Sequence, residues 1–296
     1  MSILVATDFS DASEAAVRTA VRLSNARKQR LKLLHCVDTL PGESPWDQAA
    51  DLPDKTETEL RKSAMEQFEE FFDDLIPALD QPKEVEFRVE LAAASDAIVE
   101  LAEDDEEEVE LVVVGATGRS RVMNFLLGST AEDVVRRSHR PVLVVPEEAK
   151  TGAWEHILAP VGFSDCSRAS LEYAAEIARE EGAALEVLHA YFPPTAAAPA
   201  GMPEVPPANI ETYEQRVEER FDGFLADTDL SGLETTRKLS VGSPADAVVE
   251  AVEESGADLV VMGTHGRQGV ERLFLGSTAA KVLRRMPCPV MTLRAD

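Results

Sequence analysis

Short apolar runs alternate with amphipathic stretches along the whole chain, and together they predict strands and helices in turn. Residues 3–7 form a β-rich apolar run. Ala12, Ala16, Ala20 and Leu23 follow at helical spacing, with Asp11 predicted to open that helix and Glu14 to complete a capping box. Residues 31–37 predict a second strand. A polar, Pro-containing stretch over 38–55 leads to an acidic helix over about 56–76, whose buried side is Phe68, Phe71, Phe72 and Leu75. Residues 84–91 alternate as a strand does, and another helix begins over 96–102. Residues 111–114 are continuously apolar, as expected for a strand covered on both faces of a parallel sheet. A helix is predicted from near Ser129, and residues 142–145 are the fifth strand.

The same pattern is then written again, with strands near 156–161, 185–191, 233–241, 258–262 and 289–293. Residues 113–145 align without a gap to 261–293 at an offset of 148, with 15 identities in 33 positions. Earlier in each half the offset is 154, as in Leu34-His35 against Leu188-His189, so loops have changed length between fixed elements. A unit this long is a duplicated domain and not a solenoid repeat. The expected division is a first domain over 1–147, a linker over 148–152 and a second domain over 153–296. Regular strand–helix alternation implies an α/β fold: two tandem doubly wound parallel sheets of five strands each. Such sheets take ligands at the carboxyl ends of their strands, where the strand order reverses.

Charge narrows the function. The 296 residues carry 55 Asp plus Glu against 29 Lys plus Arg, a formal net charge of −26, while 44 % apolar residues suffice for two cores. A polyanion is a poor partner for nucleic acid or for an anionic membrane. Excess carboxylate with few lysines suggests a surface adapted to concentrated salt, as in a halophilic organism; acidity for solubility alone is the plainer alternative. Three scattered cysteines, Cys36, Cys166 and Cys288, argue against a disulfide framework or a thiolate metal site. With no visible signal peptide or membrane-spanning run, a cytoplasmic setting is expected.

The candidate chemistry follows the fourth strand of each copy. It reads Gly115-x2-Gly118-x9-Gly128-Ser129-Thr130 in the first and Gly263-x2-Gly266-x9-Gly276-Ser277-Thr278 in the second. Gly118 and Gly266 would let backbone approach a ligand closely, and the following helix start offers N–H and hydroxyl donors for phosphate. Arg119 and Arg267 place a cation beside each loop. The alternative is a tight strand-to-helix turn with Ser129 and Ser277 as helix caps. His35 and His189 are expected to pack or hydrogen-bond at the sheet, and His265 to face solvent. The acidic run 104–108 is expected to be solvated. No catalytic set and no metal cluster has a recognisable motif.

With these motifs in place, the chain resembles a tandem universal stress protein of the UspA-like family, over nearly its whole length. The resemblance implies the strand order 3-2-1-4-5. It also implies that the glycine pattern, Gly-x2-Gly-x9-Gly-[Ser/Thr], is that of the family's ATP-binding branch. The fifth strands of the family commonly pair across a dimer, which here would make an intrachain pseudo-dimer and leaves room for a homodimer. Adenine would lie by the end of the first strand: Ala6-Thr7-Asp8 in one copy, Pro160-Val161-Gly162 in the other. A backbone contact to adenine would fall on Val37 and on Tyr191. Asp8 matches the family pattern and Gly162 departs from it, so the two sites are expected to be unequal.

The expected function is therefore a stress-response module binding ATP, ADP or AMP, with Mg2+ or Mn2+ entering through the phosphates and an unidentified regulatory protein as partner. Two alternatives stand beside it. One is slow ATP hydrolysis or autophosphorylation at Ser129 or Thr130; the other is a nucleotide-independent interaction scaffold.

Overall fold

The computed structural model describes residues 1–37, 57–75, 84–118, 127–193, 207–264, 275–285 and 287–294. The chain divides into two compact units, Met1–Gly152 and Ala153–Asp296. The first runs β1 (Ser2–Thr7), α1 (Asp11–Arg27), β2 (Arg30–Cys36), α2 (Glu57–Leu75), β3 (Val85–Glu90), α3 (Ala94–Glu103), β4 (Val109–Gly115), α4 (Ser129–Arg137) and β5 (Val142–Val145). The second runs β6 (His156–Pro160), α5 (Asp165–Glu181), β7 (Ala184–Tyr191), α6 (Pro207–Ala226), β8 (Thr235–Val241), α7 (Pro244–Ser255), β9 (Leu259–Gly263), α8 (Ser277–Leu283) and β10 (Val290–Leu293).

Within the first unit the strand order is β3-β2-β1-β4-β5, and within the second β10-β9-β6-β7-β8. Neighbouring strands pair in parallel within each unit. The chain crosses from one side of β1 to the other between β3 and β4, so the order reverses at the β1–β4 pair, and at β6–β9 in the second unit. The strands at that reversal are the most apolar: Ile3, Val5, Leu111, Val112 and Val113 are fully buried, as are Ile157, Leu158, Leu259 and Val260. Helices on both faces supply the rest of each core, with Phe68 of α2 and Phe221 of α6 fully buried.

Two local expectations change. Ser10, not Asp11, caps α1: its Oγ accepts the Ser13 N–H at 3.3 Å, and Asp11 sits inside the first turn, where a carboxylate suits the helix dipole. Glu14 is engaged with Arg18 at 2.7 Å and completes no capping box. The acidic run is also not simply solvated. Glu107 accepts hydrogen bonds from Lys32, which is buried on β2, and from Arg88 at 2.6 Å; Glu108 pairs with Arg30 at 2.8 Å.

The hydrogen bond from Lys32, followed by that from Arg88, holds the Glu107 carboxyl below its usual range despite partial burial. A carboxyl lowered in the folded state stabilises fully above the unfolded value of about 4.3, and that stabilisation is lost as pH falls through the lowered one. Lys32→Met removes the larger cause, so the first unit should start less stable at neutral pH and lose less of its stability as pH falls below about 4.3. Thermal melts recorded across the acid range read this directly.

Candidate functional site at the strand ends

At the carboxyl end of β1 the chain turns sharply into α1. Thr7 is buried, and its hydroxyl is held inside the turn, accepting from the Phe9 N–H at 3.1 Å and bonding Ser13 Oγ at 2.9 Å. Asp8 follows, half-buried. Its Oδ1 accepts from the Ser10 N–H at 3.1 Å and from the Ser10 hydroxyl at 2.5 Å, which fixes the carboxylate plane. Its Oδ2 faces Gly118: a Cβ built on Gly118 would stand 2.8 Å from that oxygen and 3.9 Å from Asp8 Cγ. The strand-end carboxylate and the second glycine of the motif thus meet, although 110 positions separate them in sequence.

The third glycine brings the helix start to the same place. The Gly128 N–H donates to the Ala116 carbonyl at 2.8 Å, and a Cβ on Gly128 would lie 3.7 Å from the Gly118 nitrogen. Gly128 is itself the cap position of α4 and supplies no side-chain cap. Ser129 and Thr130 are therefore first-turn residues and not caps, and Ser129 is exposed. The first-turn N–H groups of a helix have no intrahelical acceptor, and this end carries the positive pole of the dipole. An oriented carboxylate, a side-chain-free approach at Gly118 and a helix end without a side-chain cap stand next to one another at the strand ends.

Gly115 has a different role. A Cβ there would meet Ala12 C and O at 2.9 Å, so this glycine lets β4 lie against the backbone of α1. Val37 is buried in a small cluster with Ala64 and Val89, and its N–H donates to the Glu90 carbonyl at 2.9 Å. Ala6 is half-buried on the last turn of β1's pleat. Arg119, Gly266, Arg267 and His265 lie outside the described residues.

The second unit repeats the scaffold and changes the chemistry. Thr264 N–H donates to the Leu293 carbonyl and Gly276 N–H to the Thr264 carbonyl, as Ala116 and Gly128 do in the first unit. Gly276 caps α8 without a side chain; Ser277 is exposed and Thr278 half-buried. Gly263 approaches α5 at Cys166, with a built Cβ 2.6 Å from the sulfur. Pro160 ends β6, and Val161 N–H is used by the Leu188 carbonyl. Gly162 stands where Asp8 stands, offers no carboxylate, and donates its N–H to Ser167 Oγ at 2.9 Å. Tyr191 replaces Val37: its hydroxyl donates to Glu214 at 3.3 Å and its ring lies 6.2 Å from that of Tyr213. Burial, with Glu214 adding to it, raises the Tyr191 phenol above its ordinary value.

Sequence reasoning missed the residue after the carboxylate. Phe9 and Phe163 both adopt a left-handed backbone, at φ 62° and 57°. A bulky side chain there costs about 1–2 kcal/mol. The recurrence of Phe at an offset of 154, the same as that of His35 and His189, is the signal that could have found it. The two histidines do hydrogen-bond at the sheet end, each by Nδ1 at 2.8 Å: His35 to the Thr7 carbonyl and His189 to the Val161 carbonyl.

Two doubly wound parallel-sheet domains in tandem define a duplicated α/β architecture. The model of the Universal stress protein family matches residues 1–146 and 153–294, and the chain belongs to that family. Among its relatives is Universal stress protein Rv2623 of Mycobacterium tuberculosis, 27 % identical over 303 residues that cover 99 % of this chain and 96 % of that protein. Universal stress protein Rv1996 of the same organism is 29 % identical over 318 residues, covering 99 % and 95 %. The crystal structure of a universal stress protein from Archaeoglobus fulgidus shares the fold, with a TM-score of 0.65 at 21 % identity, covering 99 % of this chain and 98 % of that one. No helix among the described residues is long and apolar enough to cross a membrane.

Proposed function

We propose that the first unit binds ATP or a related adenine nucleotide in the crevice between Asp8 and the start of α4, and that the chain acts as a regulatory binding module in a stress response. One observation carries this: the Asp8 carboxylate and the uncapped start of α4 are brought to the two sides of Gly118. A carboxylate accepts hydrogen bonds from the amine or hydroxyls of a nucleoside, while a helix N-terminus with added hydroxyls suits phosphate. A nucleoside phosphate carries both groups on one molecule, and adenine is the base that the family resemblance implies.

Among the described residues no group of three or more His, Cys, Asp or Glu side chains stands together to hold a metal ion. Mg2+ or Mn2+ would accordingly enter on the nucleotide phosphates. The acidic surface favours a cytoplasm rich in salt, where screening relieves the repulsion of 26 excess negative charges. For the second unit, Gly162 in place of the carboxylate favours a different role: a surface for a protein partner that does not depend on nucleotide.

Equilibrium titration of the full chain with ATP, ADP and AMP, in buffer of high salt, tests the proposal. Saturable binding of at least one of them is expected. Absence of binding to all three would reject a nucleotide site.

A further inference from the structure

His35 touches the chain on both sides of Asp8: the Thr7 carbonyl before it and the Phe9 ring after it. His35 lies at the end of β2, directly across from Thr7 in the parallel register, and is buried to 4 % exposure. Its Nδ1 is 2.8 Å from the Thr7 carbonyl oxygen, which can only accept, so Nδ1 carries a proton and donates. That carbonyl belongs to the peptide bond leading into Asp8. The peptide bond leaving Asp8 ends at Phe9, whose left-handed backbone is unfavourable for a side chain of this kind. The Phe9 ring covers the His35 ring at 4.4 Å between centroids and is edged by Phe68 and Phe71 at 6.0 and 5.3 Å. One imidazole therefore fixes the backbone before Asp8 by a hydrogen bond and the backbone after it by a ring contact.

The second unit isolates what this device does. His189 donates from Nδ1 to the Val161 carbonyl at 2.8 Å, and Phe163 covers it at 4.0 Å. Burial holds the His189 imidazole below its ordinary value, which keeps it neutral with the proton on Nδ1. The clamp is thus independent of which side chain stands inside it. It sets the strand-end backbone in both units, and only in the first does that backbone carry a carboxylate aimed at Gly118.

We propose that His35 is a positioning residue for ligand binding in the first unit: it presets the Asp8 carboxylate toward the ligand crevice through the Thr7 carbonyl and the strained Phe9. This rests on the nucleotide reading of that crevice. A preset acceptor avoids the ordering cost that a mobile one incurs on binding, so loss of the clamp should appear in affinity and not only in stability.

The test uses the full chain with ATP as the probe. His35→Phe keeps a ring beneath Phe9 and removes the donor; affinity should fall about five- to tenfold, the worth of one hydrogen bond. His35→Asn places an amide N–H near the former Nδ1 and should recover part of that loss although it lacks the ring. Ile98→Val, a fully buried change on α3, controls for destabilisation and should leave affinity unchanged at a comparable fall in melting temperature. Hydrogen–deuterium exchange supplies a readout that needs no ligand. The Ser10 N–H, bonded to Asp8 Oδ1, should exchange severalfold faster in His35→Phe than in Ile98→Val, roughly as local opening requires. Unchanged affinity in folded His35→Phe, or unchanged Ser10 exchange, overturns the proposal. If the unsubstituted chain binds no ATP, the nucleotide reading fails instead, and the exchange arm alone decides the positioning claim.

Discussion

Replacing Asp8 with alanine should lower the first unit's affinity for ATP by roughly ten- to a hundredfold. A hydrogen bond to a charged acceptor is worth about 1.5–3 kcal/mol, and no other carboxylate of the turn substitutes for this one. Asp11 lies in the first turn of α1 and is exposed. The fold should survive the change, because Ser10 caps α1 through its own hydroxyl and Thr7 bonds Ser13 independently of Asp8. Asp8→Asn, which keeps an acceptor but removes the charge, should fall between the two. Isothermal titration measures the affinities and a thermal melt shows that folding is retained. An Asp8→Ala chain that binds as tightly as the unsubstituted one would contradict the assignment.

The largest effect on stability is expected at Gly115. A methyl group there would press on the backbone C and O of Ala12 at 2.9 Å, and a helix backbone cannot rotate aside as a side chain can. Gly115→Ala should destabilise the first unit by about 1–3 kcal/mol, the usual cost of overpacking. Gly118→Ala makes the opposite case. Among the described residues its methyl meets only the Asp8 carboxylate, so it should spare the melting temperature and weaken the ligand. Calorimetry of the two variants separates a glycine needed for packing from one needed for access. Equal melting of Gly115→Ala and the unsubstituted chain would show that α1 can give way.

Much of this architecture is legible in the residues themselves. The period-two and continuous apolar runs locate the strands of both units to within a residue or two, because a strand at the centre of a doubly wound sheet has no polar face to disguise it. The recurrence at offsets of 148 and 154 reveals the duplication, and Gly162 against Asp8 is readable by alignment alone. What stays hidden depends on contacts across the sheet. Nothing in Gly115-x2-Gly118 says that the first glycine faces α1 and the second faces Asp8. That follows from the β1–β4 register, which sets Val5 beside Val113 and brings both strand ends level. The left-handed Phe9 is hidden for a similar reason: local preference argues against it, and tertiary packing on His35, Phe68 and Phe71 overrides that preference. Glu107 reads as one member of a solvated acidic run until β2 places Lys32 beneath it. Val37 stands at the expected strand end, yet its N–H is already committed to the Glu90 carbonyl, a pairing that only the β2–β3 register shows.

The two units share a scaffold and differ where a ligand would be read: carboxylate against Gly162, Val37 against a Tyr191 bonded to Glu214. Native mass spectrometry of the full chain equilibrated with ATP counts nucleotides per chain and so addresses this asymmetry directly. One tightly held nucleotide is expected in the unsubstituted chain, and Asp8→Ala should need roughly ten- to a hundredfold more ATP to reach the same occupancy. Two equivalent nucleotides, or one that Asp8→Ala holds at the same ATP concentration as the unsubstituted chain, would contradict a site built on the first unit's strand-end carboxylate.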